Sequence, residues 1–99
     1  MLNVNEYFGG NVKSISFQGS ELPASVGVMA AGSYEFGTSQ KETMTVVNGT
    51  MKVLLPGESD WQTFKEGQSF IVDANQKFHL ELTSDAAYLC TYEDVTHVK

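Results

Sequence analysis

A chain of 99 residues accommodates one domain, and one this short removes only about 60 to 68% of its unfolded surface from water, so its core is modest. Its 12 acidic residues outweigh 6 basic ones, every one a lysine, for a net charge of −6; this excludes broad binding to nucleic acid or an anionic membrane and denies any anionic ligand the bidentate fork of arginine. With 41% hydrophobic residues and no polar low-complexity tract the chain is not a disordered one, and Cys90, the lone cysteine, excludes an intrachain disulfide and points to a reducing cytoplasm.

In chain order, the opening MLNVNEYF (1–8) lacks the basic region and apolar run of a signal peptide, and no later stretch approaches the roughly 20 apolar residues of a membrane span, so a soluble, cytoplasmic protein is expected. Apolar residues then alternate or cluster over strand lengths at VKSISF (12–17), ASVGVMA (24–30), SYEF (33–36), TMTVV (43–47), MKVLL (51–55), WQTF (61–64), SFIV (69–72), FHLEL (78–82) and AYLCTY (87–92). Turn signals separate them at FGG (8–10), AAG (30–32), PGESD (56–60), EG (66–67), DANQ (73–76) and TSD (83–85), and Asn48-Gly49 between TMTVV and MKVLL predicts a hairpin. No window keeps a 3.6-residue apolar period, so the class is all-β. Even spacing of about nine short strands predicts a single-domain antiparallel sandwich or jelly-roll β-barrel over residues 1–92, with the polar EDVTHVK (93–99) as a tail expected to fray.

Within this frame, Glu42-x6-Gly49 in the first half and Gly67-x5-Asp73-x-Asn75-x3-His79 in the second resemble the two cupin motifs, in a loosened form. Phe36 and Thr38 stand where the cupin histidine pair would be. A transition-metal site needs three or more nitrogen, sulfur or carboxylate ligands, and the frame supplies only Glu42 and His79, so no metal is expected. His97 lies in the tail and is read as a solvated side chain.

A narrower resemblance covers more of the chain. NEYF (5–8), VKSI (12–15), ASVGVM (24–29), GSYEF (32–36), ETMTVVNG (42–49), VLLPG with DW (53–61), FHL (78–80) and YLC (88–90) are similar, in order and spacing, to the small cupin-fold pyrimidine/purine nucleoside phosphorylases. The resemblance implies a cupin-like fold and phosphorolysis of purine and pyrimidine nucleosides to free base and (deoxy)ribose 1-phosphate. It also implies a homodimer that needs no metal or organic cofactor. Its members often carry arginine after the cysteine, where this chain has Thr91, and this tail is longer.

Phosphorolysis of an N-glycosidic bond asks the protein to position an anion at C1′, tolerate an oxocarbenium-like transition state and supply a proton or hydrogen-bond donor to the departing base; it does not ask for a protein nucleophile. Strand alternation puts Tyr34, Phe36 and Thr38 on one face and Glu42, Met44 and Val46 on one face, both pointing inward if the cupin frame holds. Glu42 and His79 are the candidate catalytic pair, the first because a carboxylate on an apolar strand needs a task or a partner. Tyr34, Phe36, Thr38 and Met44 are candidate nucleoside contacts, with core packing the competing role for Phe36 and Met44. Lys41, Ser39, Thr45 and Lys77 are the candidate phosphate donors, the lysines having plain solvation as their alternative. Cys90 reads as a buried small hydrophobe, and Trp61 as packing at a barrel end or dimer contact. Two other functions compete: a non-catalytic module that binds a nucleoside or sugar, and a metal-dependent cupin oxidase or isomerase, which the absent histidine pair disfavours.

Overall fold

The computed structural model describes residues 2–94; Met1 and residues 95–99, which include His97 and most of the expected tail, lie outside the described residues. Among the described residues there is no α-helix. A 3-10 turn follows the first of ten strands: β1 (Asn3–Tyr7), β2 (Val12–Gln18), β3 (Pro23–Met29), β4 (Gly32–Gly37), β5 (Lys41–Asn48), β6 (Thr50–Leu54), β7 (Gln62–Lys65), β8 (Ser69–Val72), β9 (Lys77–Leu82) and β10 (Ala86–Glu93). They form a six-stranded sheet in the order β1-β2-β3-β10-β5-β8 facing a four-stranded one in the order β4-β9-β6-β7, with antiparallel pairing throughout. The all-β, double-sheet architecture is as expected, although the sheets remain separate and do not close into one hydrogen-bonded ring. β10 runs to Glu93, one residue into the stretch read as tail.

The hairpin expected at Asn48-Gly49 is instead a corner: β5 lies in the six-stranded sheet and β6 in the four-stranded one. Gly49 has φ +91°, a conformation that suits a hairpin and a corner alike, so the dipeptide could not distinguish them. A Cβ on Gly49 would lie 3.0 Å from the Asp85 carbonyl oxygen and 3.1 Å from Ala86 Cβ, so the glycine lets the corner press against the β9–β10 connection. Hairpins join β1 to β2, β2 to β3 and β6 to β7, while every other connection crosses between the sheets.

β1 was not legible as a strand because NVNEY is mostly polar; it forms because the edge of β2 needs a partner for its backbone, pairing from Asn3↔Ser16 to Tyr7↔Val12. β4, β5 and β9 follow the usual alternation, burying Tyr34, Met44, Val46, Phe78, Leu80 and Leu82. β2 and β3 reverse it in part. Ser14 and Ser25 face inward at 5% and 2% exposure, while Ile15, Val26 and Val28 face outward at 45%, 45% and 54%. The inner surface is therefore polar beneath β2 and β3 and apolar beneath the four-stranded sheet, where Phe78 stacks 5.8 Å from Phe36 and meets Phe70 edge-on at 6.0 Å.

Candidate functional site

Between the sheets, where the polar and apolar inner walls meet, lies a cavity of about 180 Å³. Glu42 enters it from β5; Ser14 comes from β2, Phe36 from β4, and Tyr88, Cys90 and Tyr92 from β10. The placement follows from register. Glu42 lies opposite Tyr92 and Met44 opposite Cys90 across the β5–β10 ladder, and strand alternation sends all four inward.

Burial is the main reason that the Glu42 carboxyl holds its proton to higher pH than its ordinary value of 4.5, while a hydrogen bond from Cys90 pulls in the other direction. That bond runs from Cys90 Sγ to Glu42 Oε1 at 3.5 Å. Burial, reinforced by the Glu42 charge, pushes the Cys90 thiol far up, so it stays a thiol and a donor. Tyr88 is pushed up to about 12, chiefly by burial, against a hydrogen bond from Ser14. Tyr92 is raised for the same reason and shares a 2.7 Å hydroxyl contact with Ser25. The cavity thus offers one carboxyl of raised pKa and hydroxyl and thiol groups that keep their protons, a donor set suited to a hydroxylated ligand such as a sugar.

Of the residues singled out from sequence, the cavity brings together Glu42, Phe36 and Met44. His79 does not line it. It pairs with Glu35 across the β4–β9 ladder, and its Nε2 lies 3.6 Å from the Glu35 carboxylate on the outer face of the four-stranded sheet. Its neighbours Phe78 and Leu80 take the inward positions, and strand alternation leaves the histidine outside. The candidate phosphate donors also lie away from the cavity: Lys41 pairs with Glu93 at 3.6 Å, Thr45 meets Ser69 at 2.7 Å, and Ser39 and Lys77 are exposed.

Tyr34 points inward but is a core residue, its hydroxyl donating to the Ala30 carbonyl at 2.6 Å. Thr38 is a loop staple; its hydroxyl donates to the Asp73 carbonyl at 2.6 Å and accepts from the Gln76 N–H at 3.1 Å. Trp61 lies over the outer face of the four-stranded sheet, with Lys52 Nζ 5.6 Å from its ring centroid. Among the described residues no group of three or more His, Cys, Asp or Glu side chains is placed to hold a metal, and no helix is long and apolar enough to cross a membrane.

Sequence reasoning missed Tyr7, Ser14, Tyr88 and Tyr92 as lining residues. The signal was present in VKSISF and ASVGVM, whose serines and glycine alternate with apolar residues and so share a face. Either face could have been the inner one. Thr91, where the resemblance leads one to look for arginine, pairs with Ala24 and Thr43 and faces away from the cavity, so an arginine there would not enter it.

The profile of the family described as pyrimidine/purine nucleoside phosphorylase matches residues 2–92. A protein of that name from Marinobacter nauticus is 62% identical over 92 residues, covering 93% of this chain and 99% of the relative. Another from Cellvibrio japonicus is 61% identical over 93 residues, covering 94% and 100%. Among solved structures, a protein of unknown function from Vibrio parahaemolyticus is similar at a TM-score of 0.90 and 45% identity, covering 94% of this chain and 99% of that one. An RmlC-like cupin from Shewanella frigidimarina is similar at a TM-score of 0.72 and 20% identity, covering 93% and 83%, a likeness of fold alone.

Proposed function

Because this chain belongs to the pyrimidine/purine nucleoside phosphorylase family, we propose that the Glu42 cavity is where it cleaves purine and pyrimidine nucleosides with inorganic phosphate, giving free base and (deoxy)ribose 1-phosphate. The observation that carries the assignment to this cavity is a half-buried carboxyl of raised pKa among proton-keeping hydroxyls, beside an aromatic wall. A volume of about 180 Å³ is below the roughly 300 to 1,000 Å³ of pockets that enclose a whole drug-sized ligand. The pentose occupies the cavity, and the base lies at its mouth against Phe36 and Tyr7, whose rings meet edge-on at 6.4 Å. An aromatic wall accepts any base, because every base has a π-face, and this accounts for broad base tolerance.

In the reaction a phosphate oxygen forms the new bond to C1′ as the C1′–N bond breaks and its electron pair leaves with the base. The Glu42 carboxyl, whose hold on its proton burial strengthens, is the group placed to donate to the base nitrogen where that charge develops. Cys90 orients the carboxyl through its 3.5 Å contact. Incubating the purified protein with uridine or inosine is expected to release uracil or hypoxanthine only when inorganic phosphate is present. Release at the same rate without phosphate would make the activity hydrolysis, and no release with either substrate would leave the binding-module reading.

The outward apolar row Val4, Ile15 and Val26, aligned across β1, β2 and β3 at 69%, 45% and 45% exposure, is the surface that a second copy covers. A single small domain gains from burying such a row, and a homodimer does so symmetrically. The expected result is a dimer mass by light scattering at micromolar concentration, falling to the monomer mass in Val26→Glu. A monomeric parent chain would refute it. A cytoplasmic setting, reducing and supplied with phosphate, suits the buried free thiol of Cys90.

A further inference from the structure

Phosphorolysis requires a seat for an oxyanion, yet among the described residues no lysine lines the cavity and the chain has no arginine. Neutral donors must do this work, and two hydrogen-bonded files on the inner wall show which of them has a proton to spare.

In the first file Ser25 Oγ and Tyr92 Oη share a 2.7 Å hydrogen bond and Cys90 Sγ donates to Glu42 Oε1 at 3.5 Å, so these groups already have partners and the file ends on the carboxyl. The second file begins on the edge strand. Asn5 Nδ2 donates to Ser16 Oγ at 3.0 Å and to Ser14 Oγ at 3.4 Å. An amide nitrogen only donates, so the Ser14 oxygen is the acceptor there, and its own proton is free to turn toward Tyr88, which lines the same cavity. Tyr88 itself gives its hydroxyl proton to no side chain or carbonyl among the described residues, so its O–H is left to point into the cavity at the ligand. Donation from behind also makes the phenol a better donor, since each bond in a chain polarises the next.

Gly27 makes this arrangement possible. It pairs directly with Tyr88 across the β3–β10 ladder, and a Cβ there would lie 2.5 Å from Tyr88 Cζ and Oη. The phenol ring lies across the bare glycine, which brings its hydroxyl to Ser14, in register with the same glycine on the far side.

We propose that Tyr88 Oη is the donor that binds a non-bridging oxygen of inorganic phosphate in this cavity, with Ser14 and Asn5 as positioning residues behind it. The proposal rests on the phosphorolysis reading, which Glu42 serves from the other file.

The test has two arms: titration of the full chain with inorganic phosphate alone, followed by calorimetry, and initial rates of uracil release from uridine across phosphate concentrations. Tyr88→Phe is expected to raise the phosphate KM and Kd roughly tenfold to a hundredfold, with the uridine KM changed less than about twofold, because a hydrogen bond to a charged ligand is lost while the ring remains. Ser14→Ala, which keeps the Tyr88 hydroxyl but removes the donor behind it, is expected to move the same two quantities in the same direction by less. Should Tyr88→Phe fail to fold by circular dichroism, Ser14→Ala decides. Parental phosphate binding by either folded variant overturns the proposal while leaving phosphorolysis standing, as does an equal rise in both KM values. A parent chain that binds phosphate through Tyr88 yet releases no base would overturn the reaction and keep the seat.

Discussion

Glu42→Ala is expected to fold as the parent does and to lose phosphate-dependent base release by on the order of 100-fold or more. A group that meets charge developing on the leaving base in a dry cavity is worth several kcal/mol in the transition state. Glu42→Gln separates two roles: its carboxamide can still hydrogen-bond a ribose hydroxyl but has no proton to give the base, so activity as poor as that of alanine is expected. Uracil release from uridine measures both, with circular dichroism as the check on folding. Near-parental turnover by folded Glu42→Ala would sink the assignment.

The same carboxyl makes a prediction about stability. Burial raises its pKa in the folded chain above the ordinary 4.5, so between those two values the native state binds more protons than the unfolded one, and stability falls as pH climbs through that window. Above the raised pKa the cost of a half-buried charge is present, and below 4.5 it is gone. Glutamine never carries that charge. Glu42→Gln is therefore expected to melt higher than the parent at neutral pH, with the gap closing as pH is lowered past the window. A variant that loses activity and gains stability is the signature of a residue held for chemistry and not for the fold.

Phe78→Ala is expected to cost about 3–5 kcal/mol, a large share of the roughly 5–15 kcal/mol that holds a domain folded. Phe78 is 1% exposed, and its ring meets Phe36 on β4 and Phe70 on β8, so it joins the two sheets at the cavity floor. Truncation would leave a hole that neither rigid sheet can close. The melting temperature is expected to fall by on the order of 10 to 30 °C, or the chain to be recovered unfolded. A fall under about 5 °C would show that the sheets are held together elsewhere.

What the sequence by itself determined was local and periodic. Alternation put Glu42 with Met44 on one face of its strand and Phe36 with Tyr34 on one face of theirs, β-branched and aromatic runs marked nearly every strand, and the ordered motifs from NEYF to YLC identified the family. These hold because a strand's side chains change face every residue whatever it pairs with. Tertiary structure alone decided what depends on distant partners. Gly49 has the same positive φ in a corner as in a hairpin, and only the fit of β6 into the second sheet chose the corner. Alternation put His79 opposite its neighbours, but which of the two faces was inner followed from Phe78 and Leu80 filling the core. Ser14, Gly27 and Tyr88 are far apart in sequence, and they share a site because three strands meet in one register, where the side chain missing from Gly27 is as necessary as the hydroxyls on either side.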